Sequence, residues 1–241
     1  MPLPVVILAG GLATRMRPAT ETVPKALLPV SGRPFADHQL AWLRSLGVVD
    51  VVYSIGFLGD AIRRHIGDGN GFGLRVRYVA DGDTLLGTGG ALRAVIDAGL
   101  VPDRFGVING DSYLSLNLGD IETSLARSGC PALMTVMRNR NRWEASNVVY
   151  RDGRVVVYDK SRPGRWRRQM EWIDYGFTIL SRSAITDRVA PGQVADLADL
   201  MRDLSAAGQL AGHEVTERFY EIGSAQGLSD LERHLARGSG S

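Results

Sequence analysis

The chain has 241 residues, 44% of them hydrophobic, with 28 basic residues against 26 acidic ones and a formal charge of +2. That length and apolar content can bury a substantial core without disulfides or a structural metal, and the near-balanced charge gives no electrostatic footprint for nucleic acid. The apolar opening MPLPVVILAGG lacks a basic n-region and turns glycine-rich within a few residues, which fits neither a signal peptide nor a membrane span. The single cysteine, Cys130, cannot pair internally, so a reducing cytoplasm is the expected setting.

Read in chain order, PVVILAG at 4–10 predicts a buried strand, FADHQLAWLRSLG at 35–47 a helix with Leu40, Leu43 and Leu46 at helical spacing, and VVDVVYSIG at 48–56 the next strand. A short helix over about 58–66 ends at Gly67. LRVRYV at 74–79 alternates as a partly exposed strand, GGALRAVIDAG at 89–99 fits a helix, and RFGVING at 104–110 returns to strand. This repetition implies crossover units and an α/β, Rossmann-like three-layer sandwich with a mixed, mostly parallel central sheet. Beyond residue 117, NLGDIETSLARSG offers a helix and PALMTVMR a strand. SNVVYRDGRVVVYD reads as a hairpin turning at Asp152 and Gly153, WIDYGFTILS as another strand, and helices follow near 194–207 and 227–236.

Glycine-rich segments carry the chemistry. LAGGLATRMRPAT follows the first strand directly, where open α/β sheets expose a ligand crevice. Gly10 and Gly11 let backbone amides approach phosphate oxygens, and Arg15 and Arg17 offer guanidinium groups with matching geometry. A glycine turn serves structure as readily as a ligand, and it is the basic sequel that favours the ligand. The G-x-G-x-x-G spacing of a dinucleotide site is missing, as is the Gly-Lys-Ser/Thr of a Walker loop. Pro24 restricts the backbone just before Lys25, whose compact charge suits the same phosphate group.

G-G-L-A-T-R-M-R-P-A-T followed by P-K-A-L-L-P-V resembles the sugar-1-phosphate nucleotidyltransferase family, whose motif is G-G-x-G-T-R-(L/M)-x-P-x-T and then P-K-x-(L/M)-x-P-V. The clear departure is Ala13 where glycine is usual. The resemblance implies a nucleotide loop of Leu8, Ala9, Gly10, Gly11, Ala13 and Thr14, with Arg15 on the departing pyrophosphate portion and Lys25 on phosphate. DTLLGTGGALR resembles L-G-T-(A/G)-G-(A/S), placing Gly87, Thr88 and Gly89 beside base and sugar, with Asp81 standing where a glutamate is common. VINGDSYL resembles (N/G)-(G/A)-D, which implies that Asn109 and Gly110 border the nucleotide and that Asp111 carries Mg²⁺. RFYEIGSAQGL resembles the segment that supplies a second metal ligand, here Glu221. On the sugar side, VVVYDKSRPG and WIDYGFTIL imply Lys160 on the sugar phosphate and Asp174 and Gly176 beside the sugar, while Asn147 serves either a sugar hydroxyl or its own turn.

The resemblance spans roughly residues 5–230. It implies one catalytic domain over 1–236 with a nucleotide-binding half at about 1–115, a sugar-binding half at about 116–236 and a flexible tail at 237–241. Arg15, Lys25, Asp111 and Lys160 are then the catalytic group, and the partners are a nucleoside triphosphate and a sugar 1-phosphate, with neither nucleic acid nor membrane. Y-E-I-G and W-I-D-Y-G look similar to a heptose 1-phosphate guanylyltransferase branch. Uridylyl, cytidylyl, adenylyl or thymidylyl transfer, and an inactive nucleotide-sugar-binding subunit, stay open, as does the choice between monomer and homodimer. SRPGRWRRQ at 161–169 is either a lid for an anionic substrate or a solvated loop, with Trp166 and Trp172 beneath it or at a subunit contact.

Overall fold

A computed structural model describes residues 2–11, 16–82, 84–161 and 164–238. In chain order the elements are β1 (Val5–Ala9), β2 (Pro29–Val30), β3 (Arg33–Pro34), α1 (Phe35–Ser45), β4 (Asp50–Ile55), α2 (Gly59–Ile66), β5 (Arg75–Ala80), α3 (Gly87–Asp97), β6 (Arg104–Asn109), β7 (Ser112–Tyr113) and α4 (Leu118–Ser128). The second part runs through β8 (Ala132–Arg138), β9 (Val148–Arg151), β10 (Arg154–Tyr158), α5 (Gly164–Arg167), β11 (Trp172–Ser181), α6 (Arg182–Thr186), α7 (Leu197–Ala206), β12 (Leu210–Glu214), β13 (Tyr220–Glu221) and α8 (Ala225–Gly238). This is the α/β, Rossmann-like class with a mixed sheet that the strand–helix alternation predicts. Among the described residues no helix is long and apolar enough to cross a membrane.

The chain divides into two compact units. The first takes residues 2–85, 108–115 and 219–238. Its strands β1, β4 and β5 run parallel: Val5 of β1 lies opposite Val51 of β4, and Asp50 of β4 opposite Arg75 of β5, while the short pairs β2–β3 and β7–β13 are antiparallel. Val5, Val6, Ile7, Val51 and Val52 are fully buried, as expected of parallel strands covered on both faces. β5 instead alternates exposed Arg75 and Arg77 with buried Val76, the pattern of a strand with one face toward water. The C-terminal segment belongs here because Ile222 and Leu231 complete a small core with Leu28, Val30 and Phe35. That core fixes the backbone just after Lys25 against α8.

The second unit takes residues 86–107 and 116–218. β11 runs antiparallel to β8, with Trp172 opposite Arg138 and Leu180 opposite Ala132, and the register is irregular between Asp174 and Thr178. β12 lies parallel to β8 and antiparallel to β10, and β10 pairs with β9 in the predicted hairpin. Asp152 and Gly153 have φ of 48° and 76°, the left-handed pair that a tight hairpin turn demands. Strand β12 is the element the sequence conceals, since Gly212, His213 and Glu214 carry little β propensity. Its place depends on packing: a Cβ on Gly212 would stand 2.5 Å from Cε2 of Tyr150. The missing side chain makes room for the ring.

Gly212→Ala should therefore lower the unfolding free energy by about 1–3 kcal/mol through overpacking. Urea unfolding would read this as a lower midpoint at unchanged slope, whereas an unmoved midpoint would mean that the Tyr150 ring swings aside at no cost.

Candidate active site

In the first unit the strand ends converge so closely that side chains are excluded. A Cβ on Gly10 would come within 3.1 Å of Oδ2 of Asp81 and 3.3 Å of the Gly56 nitrogen, and one on Gly110 within 3.0 Å of the Ala9 Cβ. The Gly110 amide donates to the Leu8 carbonyl at 2.9 Å, so Leu8, Ala9, Gly10, Asp81, Asn109 and Gly110 form one backbone-lined edge. Among the described residues nothing would lie within 4 Å of a Cβ on Gly11. Ala13, Thr14 and Arg15 lie outside the described residues.

Asp111 follows at once. Its Oδ2 accepts an ion-paired hydrogen bond from Nζ of Lys25, with the two side chains only 21% and 17% exposed, so solvent screens the pair weakly. Lys25 is delivered by a short 3-10 turn, Lys25–Leu27, that opens after Pro24 at φ −64°. The β7–β13 ladder sets Glu221 opposite Ser112, and the Ile222 amide donates to the Asp111 carbonyl at 3.0 Å. Asp111, in the turn that immediately precedes β7, and Glu221 on β13 are thus brought onto adjoining segments although distant in sequence. Among the described residues no cluster of three or more His, Cys, Asp or Glu side chains could hold a metal. The candidate donors, Asp111 and Glu221, are hard carboxylates, the ligand type that suits Mg²⁺, an ion that takes one or two protein carboxylates and completes its shell with water and substrate phosphate.

A residue the sequence reading passed over holds the turn. Gln39, fully buried on α1, donates from Nε2 to the carbonyls of Asn109 at 2.9 Å and Ser112 at 2.8 Å, straddling Gly110 and Asp111. The signal was a polar residue four positions after Phe35 and three before Trp42, at a helix position that otherwise holds apolar side chains. The histidines find local partners: His38 bonds the Val30 carbonyl, His65 pairs with Asp37, His213 meets Ser124, and His234 stacks on Tyr220.

In the second unit the glycines of α3's first turn have a packing reason. A Cβ on Gly87, at φ 70°, would stand 2.5 Å from the Ala195 carbonyl oxygen, and one on Gly90 2.3 Å from that of Gln193. The Gly89 amide donates to the Ala195 carbonyl at 2.8 Å, while the Thr88 hydroxyl donates to Asp196 at 3.0 Å and accepts from the Leu197 amide at 2.8 Å. This loop is pinned to residues 193–197 through the amide and hydroxyl groups of the predicted ligand contacts.

The sugar-side residues gather where β11 loses its register. Gly176 has φ 102°, and its amide donates to Oδ1 of Asp174 at 3.0 Å, while the Tyr158 hydroxyl donates to Oδ2 at 3.3 Å. Asn147 accepts the Asp174 amide on Oδ1 at 3.0 Å and takes the Asp159 amide on its carbonyl at 3.0 Å, which brings the Lys160 segment alongside. Desolvation raises the Asp174 carboxyl above the ordinary carboxylate range, against the pull of Lys160 and of the Gly176 and Tyr158 hydrogen bonds. Trp172 is held internally, its indole donating to Glu214 at 2.8 Å and its ring meeting Tyr150 edge-on. Trp42 packs against Tyr113.

The chain belongs to the family described as MobA-like NTP transferase domain, whose pattern matches residues 5–184. It is 26% identical to the N-acetylmuramate alpha-1-phosphate uridylyltransferase of Neisseria meningitidis over 94% of this chain and 96% of that protein. It is 26% identical to the D-glycero-alpha-D-manno-heptose 1-phosphate guanylyltransferase of Campylobacter jejuni over 61% of this chain and 64% of that one. The crystal structure of HddC from Yersinia pseudotuberculosis complexed with GMP-PN superposes with a TM-score of 0.79 and 25% identity, covering 97% of this chain and all of that one. The chain spans only 38% of the mannose-1-phosphate guanylyltransferase of Mycobacterium tuberculosis, to which it is 33% identical over 52% of its own length. The resemblance read from the motifs, to sugar-1-phosphate nucleotidyltransferases, is borne out.

Two measurements follow from this geometry. Gln39→Leu leaves the Asn109 and Ser112 carbonyls without their donor, an expected loss of about 1–3 kcal/mol of unfolding free energy; wild-type stability would show that water takes over both bonds. For Asp174 the native state holds its proton to higher pH than the unfolded chain, whose reference value is 3.8, so its contribution to stability is lost as pH rises through the raised native value. Asp174→Asn removes that fall. Thermal unfolding across pH should show the variant gaining on the wild type above pH 3.8, and parallel curves would mean that Asp174 is not raised.

Proposed function

We propose that the protein transfers a nucleotidyl group from a nucleoside triphosphate to a sugar 1-phosphate, releasing pyrophosphate and a nucleotide sugar, with GTP as donor and a heptose or hexose 1-phosphate as acceptor. The observation that carries this reading is the Lys25–Asp111 pair at the end of a buried strand, joined through a two-residue ladder to Glu221. GTP is favoured by the full-length likeness to the structure that holds GMP-PN. The reaction belongs to the cytoplasm, the compartment suited by a single buried cysteine.

The acceptor phosphate already carries an anionic oxygen at neutral pH. It can attack the α-phosphorus in line with the departing pyrophosphate, and no protein nucleophile is required. Mg²⁺, when bound by Asp111 and Glu221, would supply charge neutralisation on the phosphate oxygens. Lys25 would hold a phosphate oxygen beside that carboxylate, and the motif gives Arg15 the pyrophosphate portion. Lys160 would meet the sugar phosphate, with Asp174 and the Asn147 side chain orienting sugar hydroxyls and Gly176 leaving room beside them. Leu8, Ala9, Gly10, Gly11, Ala13, Thr14, Asn109 and Gly110 would line the nucleotide, with Asp81, Gly87, Thr88 and Gly89 toward base and sugar. Aligning mutually repelling anions is then the main catalytic contribution.

The test is pyrophosphate release from five nucleoside triphosphates against several sugar 1-phosphates with Mg²⁺. One nucleotide–sugar pair should give turnover that chelation abolishes and that Asp111→Asn lowers by at least about 100-fold, the scale of a lost charge-stabilising group. Nucleotide-sugar binding with no turnover on any pair would replace the enzyme by a regulatory subunit.

A further inference from the structure

The basic passage near residue 165, which the reaction leaves unused, forms one wall of a cavity. That cavity is a wide depression open to solvent, with a volume of about 770 Å³, lined by Asn141, Trp143, Glu144, Ala145, Arg167 and Arg168. We propose that the acceptor sugar carries a second anionic group, a carboxylate or a phosphate remote from its anomeric carbon, and that Arg167 and Arg168 receive it in this cavity. The inference rests on the sugar 1-phosphate reading and narrows its substrate class.

The opposite wall is built rather than loose. Arg140 and Asn141 stand at φ 48° and 60°, two consecutive left-handed residues that are not glycine, a conformation that persists only where surroundings impose it. The surroundings are buried Asn139 and Ser146. Asn139 donates to the Glu144 carbonyl at 2.6 Å and accepts the Trp143 amide at 3.2 Å, while Ser146 accepts the Asn141 amide on its hydroxyl and donates its own amide to Asn141, both at 3.0 Å. Trp143 is thereby fixed with 37% of its surface exposed, and the guanidinium groups of Arg142 and Arg218 lie 4.7 and 5.5 Å from its ring.

The charge has a direction. Arg138 and Arg140 share Glu171, and Arg142 and Arg218 are engaged by the indole. The side chains of Arg167 and Arg168 have no hydrogen-bond or ion-pair partner among the described residues, and Glu144 is the one carboxylate in the lining. Two guanidinium groups in one wall match the paired oxygens of a carboxylate or phosphate. Both walls are direct continuations of the sugar segments: Ala145 is two residues before Asn147, Arg167 is seven after Lys160, and the Asp159 amide ties the two segments together at 3.0 Å. A sugar whose 1-phosphate meets Lys160 would reach this cavity with its far side.

Calorimetric titration of the full chain with 1-phosphates of glucose, galactose and mannose, of the matching uronic acids, and with the matching 1,6-bisphosphates tests the idea. At least one acidic series should bind tenfold or more tightly than its neutral counterpart, and which one does so separates carboxylate from phosphate. In Arg167→Gln/Arg168→Gln that ratio should fall towards one. Equal binding of neutral and acidic sugars in every configuration, or a preference that survives the double substitution, overturns the proposal and leaves these arginines a solvated loop. Pyrophosphate release, measured in parallel, keeps the two readings apart. Turnover without acid preference defeats only the cavity, and acid-selective binding without turnover defeats only the transferase.

Discussion

A lysine and a carboxylate withdrawn from water are stabilised only while each faces the other in good geometry, so everything that sets the relative position of Lys25 and Asp111 governs the first unit. Three separate stretches of chain converge on that requirement. The segment after Pro24 brings the lysine, the turn after β6 brings the acid, and the Ile222 amide, just past the last strand, donates to the Asp111 carbonyl. Gln39 completes the frame with neutral donors, which fix the turn without adding a competing charge. A second cation there would weaken the hold of Lys25, and an acid would repel Asp111.

The elements legible in the sequence are those whose residues all answer to one local rule. β1 and β4 are continuous apolar runs because both faces are covered, and the Asp152–Gly153 turn announces its hairpin because few other residue pairs accept two left-handed positions. The candidate site was legible through motif order: Lys25, Asp111 and Glu221 were named from letters alone, and the β7–β13 ladder brings the last two segments together. What the letters conceal is set by distant partners. β12 is a strand because β8 and β10 flank it and Tyr150 fills the space above Gly212, and β7 and β13 are too short for any period to show. Gln39 was overlooked because its two acceptors lie seventy residues and more away.

The glycine-rich turn at 87–90 shows why composition alone misleads. Its glycines suit a ligand, yet each of Gly87, Gly89 and Gly90 already meets the backbone of residues 193–195 at a distance that a side chain would violate or crowd. Packing and binding are compatible here, since a loop immobilised on one side presents a fixed surface on the other. A role for Thr88 toward a nucleotide would have to share its hydroxyl, which both donates and accepts within the chain. Asp174 expresses the opposite tension. It is held in an irregular stretch of β11 where desolvation opposes its charge, a placement that costs stability once the carboxyl ionises.

A fold of this kind does not by itself fix which nucleotide or sugar is taken. Specificity therefore has to reside in short segments grafted on a common sheet. In this chain the β8–β9 connection is a short segment whose shape is set by buried polar groups. Its buried polar residues Asn139 and Ser146 do not contribute to the apolar core, and they are spent on holding an exposed tryptophan and two left-handed residues in one place. A connection needed only to join two strands could be shorter and unstrained. Rigidity of this kind, adjacent to Asn147 and Asp174, is what discrimination between similar sugars requires, because a wall that yields cannot reject a poor fit.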